Sequence, residues 1–137
     1  MSAYLLARAL PPARSKFQDL VNELSSAGDC FNELRFTLAA LNDLLSELSV
    51  AEFVDAVSEI EPGKLTPFSG NYLAAMVEMA AARKRVPPPV WTREVAPLES
   101  PWFAVPFSSL RPHLMKSAPV AFKRRNLFVD AAIGDRV

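Results

Sequence analysis

The sequence predicts a mainly α protein: a small helical bundle with an extended, proline- and aromatic-rich C-terminal strap and a short terminal helix. Three observations carry this. Phe31, Leu34, Leu38, Leu41, Leu45 and Leu48 recur at alternating spacings of three and four, the apolar seam of a helix. After residue 86 the composition shifts to Pro87, Pro88, Pro89, Pro97, Pro101 and Pro106, interleaved with Trp91, Trp102, Phe103 and Phe107. The 137 residues are 50% hydrophobic, the composition of one globular domain that buries roughly two-thirds of its unfolded surface. We read residues 1–137 as a single domain, with 1–85 the bundle and 86–137 the strap and a basic C-terminal segment.

In chain order, Phe17, Leu20, Val21 and Leu24 form the stripe of a first helix, which Gly28 closes from the position just past a helix end. Asp29 can cap the second helix, which carries the Phe31–Leu48 seam and suits an antiparallel helix pair. Ser49-Val50-Ala51-Glu52 is a capping box, followed by Val50, Phe53, Val54, Val57 and Ile60 at helical spacing over residues 50–60. Pro62, Gly63 and Pro67 make residues 61–70 a break. From Asn71 a fourth helix runs to about Arg85, its core face Leu73, Met76, Val77 and Ala80, with Arg83, Lys84 and Arg85 complementing the dipole at its end.

Three consecutive prolines impose a stiff extended segment, whose rings anchor it to the helical body. The stretch SSLRPHLMKSA then restores a short helix, capped by Ser108 or Ser109 and ended by Pro119. NLFVD is either a short strand or an extended tail.

Charge and cysteine usage exclude several classes. Fifteen Lys plus Arg balance fifteen Asp plus Glu, so no overall field attracts nucleic acid or an anionic membrane. Residues 12–62 are acidic, whereas from Arg111 onward cations outnumber Asp130 and Asp135; the two ends attract each other, within one chain or between copies. Cys30 is the only cysteine, which rules out an internal disulfide and points to a reducing, cytoplasmic setting. No apolar run approaches the ~20 residues of a membrane span, and the apolar patch at residues 4–10 has no cationic leader before it. Cofactor and metal motifs are absent: the four glycines are scattered, and one histidine with one cysteine gives no metal spacing. His113 has no nucleophile or orienting carboxylate near it in the sequence, and Cys30 reads as a small buried residue or a helix-start thiol. No catalytic residue is assigned.

The strongest polar feature is Lys123-Arg124-Arg125-Asn126, flanked by Phe122 before it and by Leu127, Phe128 and Val129 after it. Read from its residues, this is an arm for nucleic-acid phosphates, a clamp on an acidic protein surface, or a solvated rim over core rings. No helix-turn-helix or zinc-finger pattern accompanies it.

Residues 71–137 resemble a family of small bacterial proteins encoded beside nucleotidyltransferase-like toxins. The resemblance rests on an alanine-rich helix, then Pro89 and Trp91, the Trp102-Phe103 pair, Ser117 and Pro119, Phe122, the Arg125-Asn126 pair, and Phe128-Val129. It implies an antitoxin-like regulator or accessory protein whose C-terminal half recognises a protein partner such as the toxin of a neighbouring gene. Some relatives carry a repressor-type helix-turn-helix, which residues 1–70 do not show. On this reading Trp91, Trp102, Phe103, Phe122, Arg124, Arg125, Asn126 and Phe128 are the partner-binding residues, aromatic anchors with Arg being typical of interface hot spots. The expected function is non-catalytic protein binding, with a nucleic-acid-binding regulator as the alternative. Because Phe36 and Leu44 lie off the second helix's seam, that helix is apolar on more than one side, which predicts a homodimer or tight hetero-complex with Leu44 near the contact.

Overall fold

A computed structural model describes residues 12–28, 31–60, 63–103, 115–116 and 118–129. The order is α1 (Pro12–Ala27), α2 (Phe31–Glu47), α3 (Val50–Ala56), α4 (Pro67–Lys84), α5 (Trp91–Glu94), β1 (Trp102–Phe103), α6 (Val120–Lys123) and β2 (Leu127–Phe128). The protein is mainly α. Most of the expected SSLRPHLMKSA helix, together with Asp29, Cys30 and His113, lies outside the described residues.

Helices α1 and α2 pair along the stripes their spacing dictates. Phe17, Val21 and Leu24 bury against Leu34, Leu38, Leu41 and Leu45, each such side chain contributing about 1.5–3 kcal/mol of transfer free energy. Between them Gly28 adopts φ +67°, with open space where a Cβ would stand. Its conformation, not crowding, favours glycine there. The capping box opens α3: the Ser49 hydroxyl accepts from Glu52 N–H, and the Glu52 carboxylate accepts from Ser49 N–H.

Helix α3 ends at Ala56, short of the residue 60 its apolar spacing suggests, because tertiary donors take its terminal carbonyls. The Trp91 indole N–H donates to Val57 O at 2.7 Å, and Arg14 donates to Asp55 O. A second difference lies at the start of α4, which begins four residues before Asn71. Pro67 occupies its first turn, where a missing N–H costs nothing, and the Thr66 hydroxyl caps Ser69 N–H. The break expected at residues 61–70 therefore loses its last four residues to α4.

Helix α4 is the axis of the molecule. Every residue from Ser69 to Glu78 is buried, so the single face expected for it is replaced by burial on all sides, with Ala80 only half-buried. Gly70, Ala74 and Ala75 keep it slim, which lets α2 approach from one side while α5, α6 and the strap close over the others. The strap leaves α4 at Arg85 (φ 60°), runs extended through Val86–Pro89, makes one turn at α5 and reaches β1. Pro119 stands at the N-cap of α6. Its carbonyl accepts from Phe122 and Lys123 N–H and so opens α6. Strand β2 answers the question left by NLFVD: it pairs in parallel with β1, Trp102 opposite Leu127 and Phe103 opposite Phe128. No described helix is long and apolar enough to cross a membrane.

Candidate functional site

The polar centre of the fold is built where the C-terminal segment crosses α4. Asn71 and Glu78 stand seven residues apart, two turns along one face of α4. Arg125, at the end of the α6 turn, is 5% exposed and Glu78 is 7% exposed. The Arg125 Nε donates to Glu78 Oε1 at 3.2 Å, and its Nη2 lies 3.2 Å from Glu78 Oε2. Its Nη1 donates to Asn71 Oδ1 at 3.0 Å and to Val95 O at 3.1 Å, and Nη2 also donates to Thr92 O. Of the five N–H donors of a guanidinium, four make hydrogen bonds here, and Nη2 adds the ion-pair contact to Glu78. Asn71 completes the network by donating from Nδ2 to Pro67 O and Ala96 O. A buried charge is tolerated only with such pairing.

Asn126 follows with φ 64°, a left-handed conformation that asparagine tolerates better than most residues. Its Nδ2 donates to Leu98 O at 2.6 Å, while its carbonyl accepts from Trp102 N–H at 2.8 Å. Phe122 is fully buried, edge-on to Tyr72 with centroids 5.2 Å apart, and Trp102 packs against Phe68 at 5.0 Å. Phe103 stacks on Phe128 beside Ala118.

The residues expected to contact a partner are thus brought together, and most of them are turned inward. Phe122, Arg125 and Phe128 are interior and serve the fold of the isolated chain, so their burial corrects the picture of an exposed recognition arm. Trp91, Trp102, Phe103 and Asn126 are half-buried and fasten the strap. Only Arg124 keeps a largely open side chain, 58% exposed, while its Nη2 reaches Glu78 Oε1 at 3.0 Å. The sequence reading assigns no site role to Glu78, Asn71 or Thr92. The available signal was Glu78 itself, the one carboxylate in the alanine- and methionine-rich run of α4.

One opening adjoins this centre, and a second lies along the strap. A cleft of about 360 Å³ is lined by Glu78, Pro88, Arg93, Val95, Pro97, Arg124 and Arg125. On the other side of the strap, an apolar groove of about 200 Å³ lies between α3 and the proline run. Phe53 and Val57 form its floor, and Val54, Pro87, Pro89 and Val90 its rims. Val54 is 48% exposed and Val90 67% exposed. Among the described residues no group of three or more His, Cys, Asp or Glu is placed to hold a metal. Comparison of the chain with protein-family models, with curated proteins and with solved structures finds no match.

Proposed function

We propose that this chain is a non-catalytic protein-binding component, the antitoxin or accessory subunit of a toxin–antitoxin-type pair, that acts from the cytoplasm. The observation that supports binding is the apolar groove between α3 and the strap, where Val54 and Val90 face solvent above Phe53 and Val57. The walls are preformed, since Pro87 and Pro89 hold the strap extended without internal hydrogen bonds. Little conformational entropy is then lost when an apolar side chain of a partner enters. The pairing with a neighbouring toxin follows from the resemblance of residues 71–137 alone.

The alternative, nucleic-acid binding by the C-terminal cations, draws on fewer free charges than the sequence offers, because Arg125 is spent inside the fold. Co-expression with the neighbouring gene product and co-purification tests the first reading. Val54→Glu with Val90→Glu should abolish capture while leaving the helical circular dichroism unchanged. Retention of capture by that variant would remove the groove from the interface, and failure to capture with the unmutated chain would remove the partner reading.

A further inference from the structure

We propose that the cleft between the strap and the C-terminal half of α4 is a binding site for a phosphate monoester. Its lining holds three guanidiniums, Arg93, Arg124 and Arg125, against the single carboxylate of Glu78. That leaves an excess of two positive charges, which matches a monoester close to dianionic at neutral pH. A backbone phosphodiester or a lone side-chain carboxylate brings only one negative charge.

The three arginines have different tasks. Arg125 lies buried against α4 with four hydrogen bonds and the ion pair to Glu78, so it contributes chiefly a fixed positive charge. It also neutralises Glu78, which lines the cleft with one oxygen held by Arg124 and the other by Arg125. Arg124 uses Nη2 on Glu78, and its remaining N–H groups have no partner among the described residues. The Arg93 guanidinium, exposed on α5, has no hydrogen bond or ion pair among the described residues. Two planar donor forks are thus available at one opening, the geometry that grips phosphate oxygens in pairs.

The remaining walls, Pro88, Val95 and Pro97, are apolar, and the two prolines offer no competing N–H. They provide a dry, stiff surface for the organic part of the ester. At about 360 Å³ the cleft falls at the small end of ligand sites, which span roughly 300–1,000 Å³. This suits a small ester or the terminal phosphate of a strand, the rest of which would lie outside.

Isothermal titration of the full-length chain at low salt tests this with inorganic phosphate, adenosine monophosphate, adenosine, and one oligonucleotide with and without a 5′ phosphate. Phosphate and the monophosphate should bind one to one, and adenosine should not bind. Arg93→Gln and Arg124→Gln should each weaken binding about tenfold, the loss expected for a charge-assisted hydrogen bond. Preference for the 5′-phosphorylated strand over the mononucleotide assigns the ester to a nucleic-acid end; equal affinity assigns it to a free small molecule. Arg93 has no bond whose loss disturbs the fold, so its variant remains informative if Arg124→Gln proves less stable. No heat with phosphate or the mononucleotide at millimolar concentration, or binding unchanged in Arg93→Gln, overturns the proposal.

Discussion

Glu78 and Arg125, separated by 47 residues, form a buried ion pair in which both carboxylate oxygens meet the guanidinium, through Nε at 3.2 Å and Nη2 at 3.2 Å. The pair joins the central helix to the segment that returns to it after the strap. The strap is therefore fastened at its far end by charge as well as by aromatic packing. The same guanidinium accounts for the carbonyls of Thr92 and Val95, which a loop buried against a helix would otherwise leave without donors.

Removing one member of this pair leaves the other buried and uncompensated. Arg125→Met should cost about 3–5 kcal/mol in urea denaturation, the range for breaking a buried ion pair. Arg125→Lys should recover only part of that, because an ammonium cannot reproduce the fork that reaches Glu78, Asn71 and two carbonyls together. The double variant Glu78→Leu, Arg125→Met should be more stable than Arg125→Met alone. A single-variant cost below about 1 kcal/mol, the value of a solvated pair, would show that the pair does not fasten the strap.

Asn126 is the corner on which the two short strands meet. Asn126→Gly keeps the left-handed backbone and loses only the bond to Leu98 O, whereas Asn126→Val adds β-branched strain to that loss. The valine variant should be destabilised by about 1–2 kcal/mol more than the glycine variant. Trp102 fluorescence, which reports on the ring cluster with Phe68 and Tyr72, is the measurement. Equal stability of the two variants would show that the turn relaxes.

The α3 capping box makes a prediction about pH. Glu52 is held below its ordinary value of 4.5 by the Ser49 backbone N–H it accepts from, then by the Ser49 side chain, with a small contribution from Lys16. A carboxylate with a depressed folded pKa contributes stability that is fully present above 4.5 and is lost as pH falls through the folded value. The unmutated protein should therefore exceed Ser49→Ala in urea midpoint at neutral pH, with the gap narrowing below 4.5. A gap that stays constant down to acid pH would mean that the hydroxyl cap alone accounts for the difference.

How much of this was written in the sequence depends on whether a feature is local. The seam Leu34–Leu48, the Ser49–Glu52 box and the helix-stopping Gly28 are readable because each is set by neighbours within one or two turns. Pro67 misled because proline excludes a helix interior yet suits its first turn, and only Thr66 beside it distinguishes the two. The α4 stripe looked one-sided because alanines and Ser69 count as neutral in a periodicity. Here they are buried because smallness, not hydropathy, lets the strap approach. A cation in a basic run is ordinarily solvated, so the local sequence puts Arg125 on the surface. Its burial depends on Glu78, which no local pattern connects to it. The parallel pairing of β1 with β2 is likewise non-local, Leu127 following Trp102 by 25 positions.

The last prediction concerns assembly and turns on two residues of α2. Leu44 and Phe36 both lie off the apolar seam, and their spacing of eight puts them on one side of the helix, two turns apart. The structure treats them differently. Leu44 is half-buried and packs against the core, while Phe36 is 69% exposed, with the Arg35 guanidinium 4.8 Å from its ring centre. A dimer contact on this side should therefore centre on Phe36 and not on Leu44. Leu44→Glu should unfold the chain by burying an unpaired charge, whereas Phe36→Glu should leave stability within about 0.5 kcal/mol, as for an ordinary surface position. If copies of the chain associate through α2, light scattering at tens of micromolar should show a dimer for the unmutated protein and a monomer for Phe36→Glu. A dimer that survives Phe36→Glu would place the contact elsewhere. A folded Leu44→Glu monomer with native helical content would return Leu44 to the interface.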